Sequence, residues 1–217
     1  MKVNKRIVVF LFLAILGISF TFYGYQILFI PNILVEQENR LFIIKDGDTF
    51  KEVQKQLHEK KMVNDLISFS FLARLSGYDD ELKPGRYILK KNMTNLEALK
   101  VLRSGKQEPV KITFNNVRLP SELAEKITRN LGMTPDEFEA ALIEFAMNNR
   151  YGFNKDNVIA MFIPNTYEVY YNVTPEALIN RMYEEYDHFW TQERKDKAAA
   201  VGLTPVEVST LAAIVQA

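Results

Sequence analysis

The sequence predicts an α+β protein with a single membrane-spanning helix at its N-terminus. One apolar run without a charged residue opens the chain, from Ile7 to Ile30. Short apolar strands then alternate with amphipathic helices along the rest of the sequence. One strand-helix-helix pattern also occurs twice, beginning near residues 41 and 110. Together these features give the α+β class and suggest a repeated unit.

The apolar run from Ile7 to Ile30 is long enough to cross a hydrocarbon core of about 30 Å. A cleaved signal peptide is the alternative, but the run is longer than a signal-peptide core and no A-x-A-like site follows it. Three basic residues, Lys2, Lys5 and Arg6, predict that residues 1–6 are cytoplasmic. We therefore expect residues 7–30 to contact lipid of the cell membrane and the bulk of the chain to be extracytoplasmic.

Composition excludes several classes of function. Lys plus Arg and Asp plus Glu each number 27, so there is no basic excess of the kind that indicates nucleic-acid binding. The chain has no cysteine, which excludes disulfides, a thiolate nucleophile and cysteine-type zinc sites. Stability must therefore come from burial, and the exported part is long enough to build a core.

Turn and capping residues divide the exported part into short elements. The predicted order is a strand at 41–45, a helix from Thr49 to about 60, a helix from Asn64 to Gly77, a strand at 87–90 and a helix from Thr94 or Asn95 to Gly105. A strand at 110–114, a helix from about Pro120 to Asn130 and a helix capped by Thr134 follow.

The second strand-helix-helix segment matches the first when the sequence is shifted by 70 positions. The matched pairs are Phe42 with Ile112, Ile44 with Phe114, Val53 with Leu123, Leu57 with Ile127, and the cap Asn64 with the cap Thr134. A degenerate duplication explains these pairs, and chance agreement between two such segments is the alternative.

The stretch "FIIKDGDTFKEVQKQL", residues 42–57, resembles the opening of a LysM module, a small βααβ domain that binds the sugar backbone of peptidoglycan. The resemblance rests on the strand, the Gly-Asp-Thr turn and the apolar-periodic helix. Asp46 and Asp48 could instead be calcium ligands, but the remainder of a twelve-residue calcium loop is missing. The resemblance implies a LysM-like domain at 31–108, a second LysM-like unit at 109–150 and a third region at 151–217.

Local motifs of metal or serine hydrolases do not occur in the sequence. His58 lies on the polar side of a helix and is expected to be solvated. His188 lies among aromatic residues and is expected to be packed. Neither histidine has a partner at metal or triad spacing, so we expect no metal and no cofactor.

Aromatic residues concentrate in the last third of the chain. They are Phe162, Tyr167, Tyr170, Tyr171, Tyr183, Tyr186, Phe189 and Trp190. Such side chains form carbohydrate grooves, although an aromatic core is the alternative for at least half of them. Pro164 excludes a helix interior in the stretch Ile163–Tyr167. We expect a loop there that presents Asn165, Thr166 and Tyr167 together as groove residues.

Taken in order, five segments resemble the membrane-anchored endolytic murein transglycosylases, also described as peptidoglycan terminases. They are the N-terminal apolar run, the LysM-like stretch, "LKPGRYIL" at 82–89, "FIPNTYEVY" at 162–170 and "GLTPVEVSTLAAIVQ" at 202–216. They span the whole chain in the family order, and the resemblance implies that residues 151–217 are the incomplete start of the transglycosylase catalytic domain. One departure is that the family usually has Asp where Asn165 stands, which puts an ionic role of that position in doubt.

The resemblance implies cleavage of nascent glycan strands between N-acetylmuramic acid and N-acetylglucosamine, which leaves 1,6-anhydro ends and terminates strand elongation. One glutamic acid protonates the leaving oxygen, and its carboxylate then takes the proton of the muramyl C6 hydroxyl. One carboxyl suffices because the nucleophile belongs to the substrate, unlike the usual two-carboxylate arrangement.

The resemblance places that glutamate on the helix that begins near Thr204, directly after Ala217. Glu207 lies about ten residues too early and is expected to serve the helix start. We therefore expect no catalytic residue within 1–217 and an inactive chain as it stands. Gln216 joins Asn165, Thr166 and Tyr167 as an expected substrate-binding residue.

Two rival hypotheses remain open at this stage. One is a non-catalytic, membrane-anchored scaffold that binds peptidoglycan or assists cell-wall assembly. The other is an envelope protein whose aromatic helices dock another membrane protein. Glycan strands are the expected partner in the leading hypothesis, and work close to peptidoglycan synthases is implied by the resemblance.

Overall fold

The structure is a computed structural model that describes residues 5–34, 38–115, 117 and 119–216, without the side chains of residues 213, 214 and 216. The chain divides into two compact units, Met1–Glu108 and Pro109–Ala217, here called unit 1 and unit 2. Each unit contains one two-stranded sheet and its own helices. The mixed helix and strand content agrees with the α+β class that the sequence predicts.

Helix α1 (Lys5–Phe29) forms where the apolar run predicts it. Among the described residues it is the one helix long and apolar enough to cross a bilayer, with a mean hydropathy of 2.4. Its large apolar side chains from Ile7 to Phe22 are exposed, as a lipid-facing surface requires. Lys5 and Arg6 begin the helix, and Lys2 lies outside the described residues.

Unit 1 continues with two strands and three helices. They are β1 (Asn39–Ile44), α2 (Phe50–Glu59), α3 (Leu66–Leu75), β2 (Gly85–Lys90) and α4 (Asn95–Ser104). The strands pair antiparallel, with Asn39 opposite Lys90 and Ile44 opposite Gly85. Their inward side chains pack with those of the helices around Phe42, Tyr87 and Phe69, all fully buried.

A buried polar network joins the end of α1 to the rest of unit 1. Asn32 Nδ2 donates to Asn95 Oδ1 at 2.6 Å and to the Asp65 carbonyl at 2.8 Å. Asn95 Nδ2 donates to the Ile27 carbonyl at 3.0 Å and to Ser68 Oγ at 3.1 Å. Because buried polar groups are costly without partners, this network fixes the last turn of α1 against α3 and α4.

Unit 2 contains the remaining elements. They are β3 (Val110–Phe114), α5 (Pro120–Thr128), α6 (Pro135–Asn148), β4 (Asn165–Val169), α7 (Pro175–Phe189), α8 (Gln192–Ala200) and α9 (Pro205–Gln216), with a 3-10 turn at Val158–Met161 before β4. Strands β3 and β4 pair antiparallel, with Val110 opposite Val169 and Phe114 opposite Asn165.

Two expectations from the sequence need correction. The boundary expected at residue 150 falls inside unit 2, because β4 pairs with β3 across it. The cap of α3 is Asp65 rather than Asn64, since the Asp65 carboxylate accepts from the backbone N–H groups of Ile67 and Ser68. The predicted caps Thr49 and Thr134 do begin α2 and α6.

The two units share the element order β-α-α-β-α, which extends the strand-helix-helix repeat predicted from the sequence. The order is β1-α2-α3-β2-α4 in unit 1 and β3-α5-α6-β4-α7 in unit 2. Phe42 faces Tyr87 across the first sheet, and Ile112 faces Tyr167 across the second. Helices α8 and α9 have no counterpart in unit 1.

Candidate functional site

The stretch expected to be a groove loop is instead the strand β4. Its residues alternate in burial, so Asn165, Thr166 and Tyr167 do not present their side chains together. Pro164 directly precedes the strand, a position where its missing N–H is tolerated. The expectation of a loop failed because pairing with the distant strand β3 satisfies the backbone of this stretch.

Tyr167 belongs to the core of unit 2 rather than to an open surface. Its ring stacks on that of Phe114 at 5.5 Å, and its hydroxyl donates to the Ile163 carbonyl at 2.6 Å. Burial raises the pKa of Tyr167 to about 12. The side chain therefore supports the strand, and its hydroxyl is already engaged.

Asn165 and Thr166 are exposed at the start of β4. The hydroxyls of Thr166 and Thr113 lie 2.8 Å apart on one face of the sheet. The Asn165 side chain accepts from the Thr166 backbone N–H at 2.8 Å. These two positions remain accessible to a ligand, one on each face of the strand.

Most of the aromatic residues predicted for a groove are core residues. The buried ones are Phe162, Tyr167, Tyr171, Tyr186 and Trp190. Tyr170 and Phe189 are exposed, and Tyr183 stacks on Tyr151 with ring centroids 3.7 Å apart. The aromatic-core alternative therefore holds for the majority.

An open cavity of about 960 Å³ lies within unit 2. Its walls come from the end of β3, the turn and loop before β4, and the helices α8 and α9. Phe114, Phe162 and Trp190 supply aromatic surface, and Ile159 and Pro164 supply aliphatic surface. A mostly apolar cavity with a few polar groups at its edge is the usual form of a ligand site.

Two cations and several neutral polar groups also line this cavity. Arg194 and Lys197 are exposed residues of α8, one turn apart. The Arg194 guanidinium lies over the Phe189 ring at 4.1 Å and donates to the Phe189 carbonyl. Lys197 Nζ lies 2.6 Å from Glu193 Oε1. The other polar lining residues are Asn115, Asp156, Asn157, Ser209 and Thr210.

Arg194 and Lys197 are not among the residues that the sequence predicts to bind a ligand. A signal was present in "QERKDKAAA", where Ala198 is the one buried position of α8. Arg194 and Val201 lie four residues before and three residues after it, so they share its face of the helix. That spacing indicates that Arg194 lies on the same face of α8 as a buried residue. It does not predict the cavity, because most of the other lining residues are distant in sequence.

Helix α9 begins as the sequence predicts. Thr204 N and Thr204 Oγ1 lie 2.7 and 2.8 Å from Glu207 Oε2, and the Glu207 N–H faces the Thr204 hydroxyl. The backbone hydrogen bond to Thr204 lowers the pKa of Glu207, the opposite of what a general acid needs. Gln216 lies in α9, and its side chain is outside the described part of the chain.

The titratable groups offer little for metal chemistry. In residues 5–34, 38–115, 117 and 119–216, no group of three or more His, Asp or Glu side chains is placed to hold a metal ion. His58 is exposed, as predicted, whereas His188 is exposed rather than packed. The described residues thus combine an apolar N-terminal helix, two related small units and, in unit 2, an open cavity flanked by cations.

The chain belongs to the YceG-like family, which it matches over residues 42–217. Two similar relatives are the proteins named endolytic murein transglycosylase from Streptococcus pneumoniae strains D39 and R6. Each is 27% identical over 136 residues, which cover 60% of this chain and 24% of the relative. The matched region is thus about a quarter of the length of those relatives.

Among solved structures, a YceG-like protein from Listeria monocytogenes is similar at 20% identity. The similarity covers 77% of this chain and 60% of that protein, with a TM-score of 0.36.

Proposed function

We propose that this chain is the membrane-anchored part of an endolytic murein transglycosylase that cuts nascent glycan strands and thereby ends their elongation. Membership of the YceG-like family over residues 42–217 is the observation that carries this proposal. The two pneumococcal relatives bear the name of that activity. Bacterial peptidoglycan is accordingly the proposed substrate.

The proposed reaction needs one carboxyl group and no water. A carboxylic acid donates its proton to the oxygen between N-acetylmuramic acid and N-acetylglucosamine, and that oxygen leaves with the bonding pair. The muramyl C6 oxygen then bonds to C1, and its proton passes to the carboxylate. We propose that this carboxyl belongs to a glutamate directly after Ala217, since the lowered pKa of Glu207 does not suit the role.

The cavity of unit 2 is the proposed glycan-contacting surface of this chain. Its apolar and aromatic walls suit the faces of sugar rings. Arg194 and Lys197 suit the carboxylates that peptidoglycan carries on its muramyl groups and stem peptides, because charge-assisted hydrogen bonds are the stronger ones. Asn165 and Thr166 remain proposed contacts, and Gln216 remains one by resemblance alone.

Unit 1 is the proposed LysM-like part. Its order β1-α2-α3-β2 is the βααβ order of that module, and we propose that it binds glycan strands close to the membrane. Helix α1 is the proposed anchor in the cell membrane, with Lys5 and Arg6 on the cytoplasmic side. This location would place the enzyme beside peptidoglycan synthases.

Product analysis tests the reaction. A chain that includes the codons after Ala217 should convert glycan strands to shorter strands with 1,6-anhydro ends, detected by mass spectrometry. Replacing the expected glutamate with glutamine should abolish these products, and residues 1–217 alone should release none. Release of such ends by residues 1–217 would contradict the proposed position of the acid.

Binding measurements test the cavity. Arg194→Ala with Lys197→Ala should weaken binding of residues 1–217 to purified glycan strands by about tenfold or more, because two charge-assisted contacts are lost. Lys195→Ala is the matched control, since Lys195 lies on the same helix, pairs with Asp187 and does not line the cavity. Equal weakening of binding by Lys195→Ala would contradict the proposal that the cavity contacts glycan.

The alternative is a non-catalytic scaffold that binds peptidoglycan. It predicts binding by the longer chain without any anhydro product, under conditions in which the glycan is cut by an unrelated lytic enzyme.

A further inference from the structure

Helix α3 carries an apolar stripe on the side that faces away from its core. Ile67, Phe71 and Leu75 follow one another at four-residue intervals, with 76%, 56% and 72% of their surfaces exposed. The other side of α3 packs into unit 1 through its buried residues Phe69 and Leu72. A short helix that is apolar on both sides is unusual at a water-exposed surface. We call Ile67, Phe71 and Leu75 the α3 stripe.

The first turn of α3 is attached to the end of α1. The Asn32 side chain bonds both the Asp65 carbonyl, at 2.8 Å, and the Asp65 N–H, at 2.7 Å. Ser68 Oγ accepts from Asn95, and Asn95 also donates to the Ile27 carbonyl. Ile67 therefore begins the stripe one residue before Ser68, which Asn95 links to the last turn of α1.

The length of α1 determines where the end of α1 and the start of α3 lie relative to the bilayer. Its 25 residues extend about 37 Å at about 1.5 Å per residue, whereas the hydrocarbon core of a bilayer is about 30 Å thick. Tyr23 and Tyr25 near its end are residues that favour the membrane interface. The last turn of α1 and the start of α3 thus belong at the outer interface.

We propose that the α3 stripe inserts into the outer lipid–water interface of the bilayer that α1 crosses, so that unit 1 lies on the membrane instead of being tethered above it. This inference rests on the proposed anchor. The exposed apolar surface of α1 extends to Phe29 and Ile30, which directly precede the segment in which Asn32 bonds to the start of α3. Binding of this kind follows the buried apolar area of an amphipathic helix.

Charge and area favour lipid over a protein partner. Helix α3 contains no acidic residue, and its one charged residue, Arg74, is exposed and long enough to reach phosphate groups while its stem stays in the apolar layer. Three side chains on a helix of 10 residues supply much less than the about 800 Å² per partner of a stable protein interface.

The absence of cysteine makes a clean test possible, because a single introduced cysteine can be labelled. Phe71→Cys in the whole chain is labelled with an environment-sensitive fluorophore and reconstituted into phosphatidylethanolamine–phosphatidylglycerol vesicles, with and without spin-labelled lipid. Ile18→Cys, in the middle of α1, controls for the anchor. Lys51→Cys, an exposed position on α2, controls for the water-facing surface.

The proposal expects spin-labelled lipid to remove most of the fluorescence at positions 71 and 18 and little at position 51. Quenching at 18 without quenching at 71 overturns the inference and leaves the anchor intact. A label at 71 that lipid does not quench, but that shows energy transfer rising with protein density, indicates a second copy on the stripe and also overturns it. No quenching at 18 overturns the anchor together with this inference.

The stripe itself is tested by Ile67→Ser with Leu75→Ser in the labelled Phe71→Cys chain. Both positions are mostly exposed, so unit 1 should keep its fold. Lipid quenching at position 71 should then fall toward the level of position 51, while quenching at position 18 is unchanged. Unchanged quenching at position 71 contradicts a role for the stripe.

Discussion

Unit 1 and unit 2 repeat one order of elements, yet their cavities differ. The cavity of unit 1, about 710 Å³, lies along α3, whereas the cavity of unit 2, about 960 Å³, has walls from several elements. Phe42 lies 45 residues before its cross-strand partner Tyr87, whereas Ile112 lies 55 residues before its partner Tyr167. Most of the additional residues fall in the segment between α6 and β4, and the rest lengthen α6 relative to α3. That segment supplies Asp156 and several neighbours to the cavity wall. The longer segment of unit 2 therefore supplies one wall of the candidate site.

The second halves of the two units also match in sequence, at a shift of 80 positions. Pro84 and Tyr87 correspond to Pro164 and Tyr167, and "NMT" at 92–94 corresponds to "NVT" at 172–174. Each tyrosine donates its hydroxyl to the carbonyl four residues earlier, at 2.8 Å in unit 1 and 2.6 Å in unit 2. Shared sequence, position and hydrogen bond together favour duplication over chance.

The units differ most at the start of their last shared helix. Asn95 in unit 1 is buried and bonds to Ile27, Ser68 and Asn32, whereas Pro175 in unit 2 begins α7 without such contacts. In unit 1, the start of this helix therefore binds the last turn of α1.

The largest expected effect comes from breaking the buried polar network of unit 1. Asn95→Ala should lower the free energy of unfolding of unit 1 by about 2–4 kcal/mol, because several buried polar groups lose their partners. Hydrogen exchange of the β1 and β2 amides in the detergent-solubilised chain measures this loss. Asn64→Ala, at an exposed position, is the control, and equal losses in both variants would contradict a special role for the network.

A second prediction concerns Gly85 and its counterpart Asn165. Gly85 has a φ of +153°, and a Cβ there would lie 2.5 Å from Gln107 Cδ. Gly85→Ala should lower the stability of unit 1 by about 1–2 kcal/mol, mainly through backbone strain because Gln107 can move. Asn165→Ala should change the stability of unit 2 by less than about 0.5 kcal/mol. Thermal unfolding compares the two, and similar costs would show that the positions are equally constrained.

A third prediction tests the shared tyrosines. Tyr87→Phe and Tyr167→Phe should each cost about 0.5–1.5 kcal/mol, since each removes one hydrogen bond and leaves a backbone carbonyl without its donor. Denaturant unfolding followed by exchange in each sheet gives the two values. A loss in only one unit would mean that the matching hydrogen bonds do not play the same structural role.

The same tyrosines make the stability of each unit depend on pH in the alkaline range. Burial raises the pKa of Tyr87, and it raises that of Tyr167 to about 12, above the about 10 of an unfolded chain. The contribution of Tyr167 is complete below pH 10 and is lost as pH rises from about 10 to about 12, because the unfolded state releases the proton first. Tyr167→Phe should make the stability of unit 2 depend less on pH in that range.

Local signals predicted the elements whose causes are local. The apolar run predicted α1, and the capping residues Thr49, Thr134 and Thr204 predicted three helix starts. The sequence predicts a loop at Tyr167 because Pro164 and two polar residues precede it, whereas its strand forms through pairing with β3. Long-range assembly decides such features, and no local pattern reports it.

The sequence predicts neither the cavity of unit 2 nor the buried polar network of unit 1, and the reason is the same. Asn32 and Asn95 are 63 residues apart in sequence, and neither has a neighbour that indicates burial. The cavity joins Phe114 to residues of α9, so its existence depends on how six elements pack. The sequence resemblance predicts the family. Arg194 and Lys197 become candidate binding residues only because the packed helices place them at the cavity.

The smallest expected effect is one that the two units share. Backbone hydrogen bonds from Thr49 and Thr134 lower the pKa values of Glu52 in unit 1 and Glu137 in unit 2. A lowered pKa in the folded state gives a stabilisation that is present above the unfolded value and is lost as pH falls through the folded value. Glu52→Gln and Glu137→Gln keep the capping contact and remove the charge. Exchange at the first turns of α2 and α6 between pH 6 and pH 3 should therefore become less dependent on pH to the same small extent in both units. A response confined to one helix would mean that capping, unlike the tyrosine contact, has diverged between the two copies.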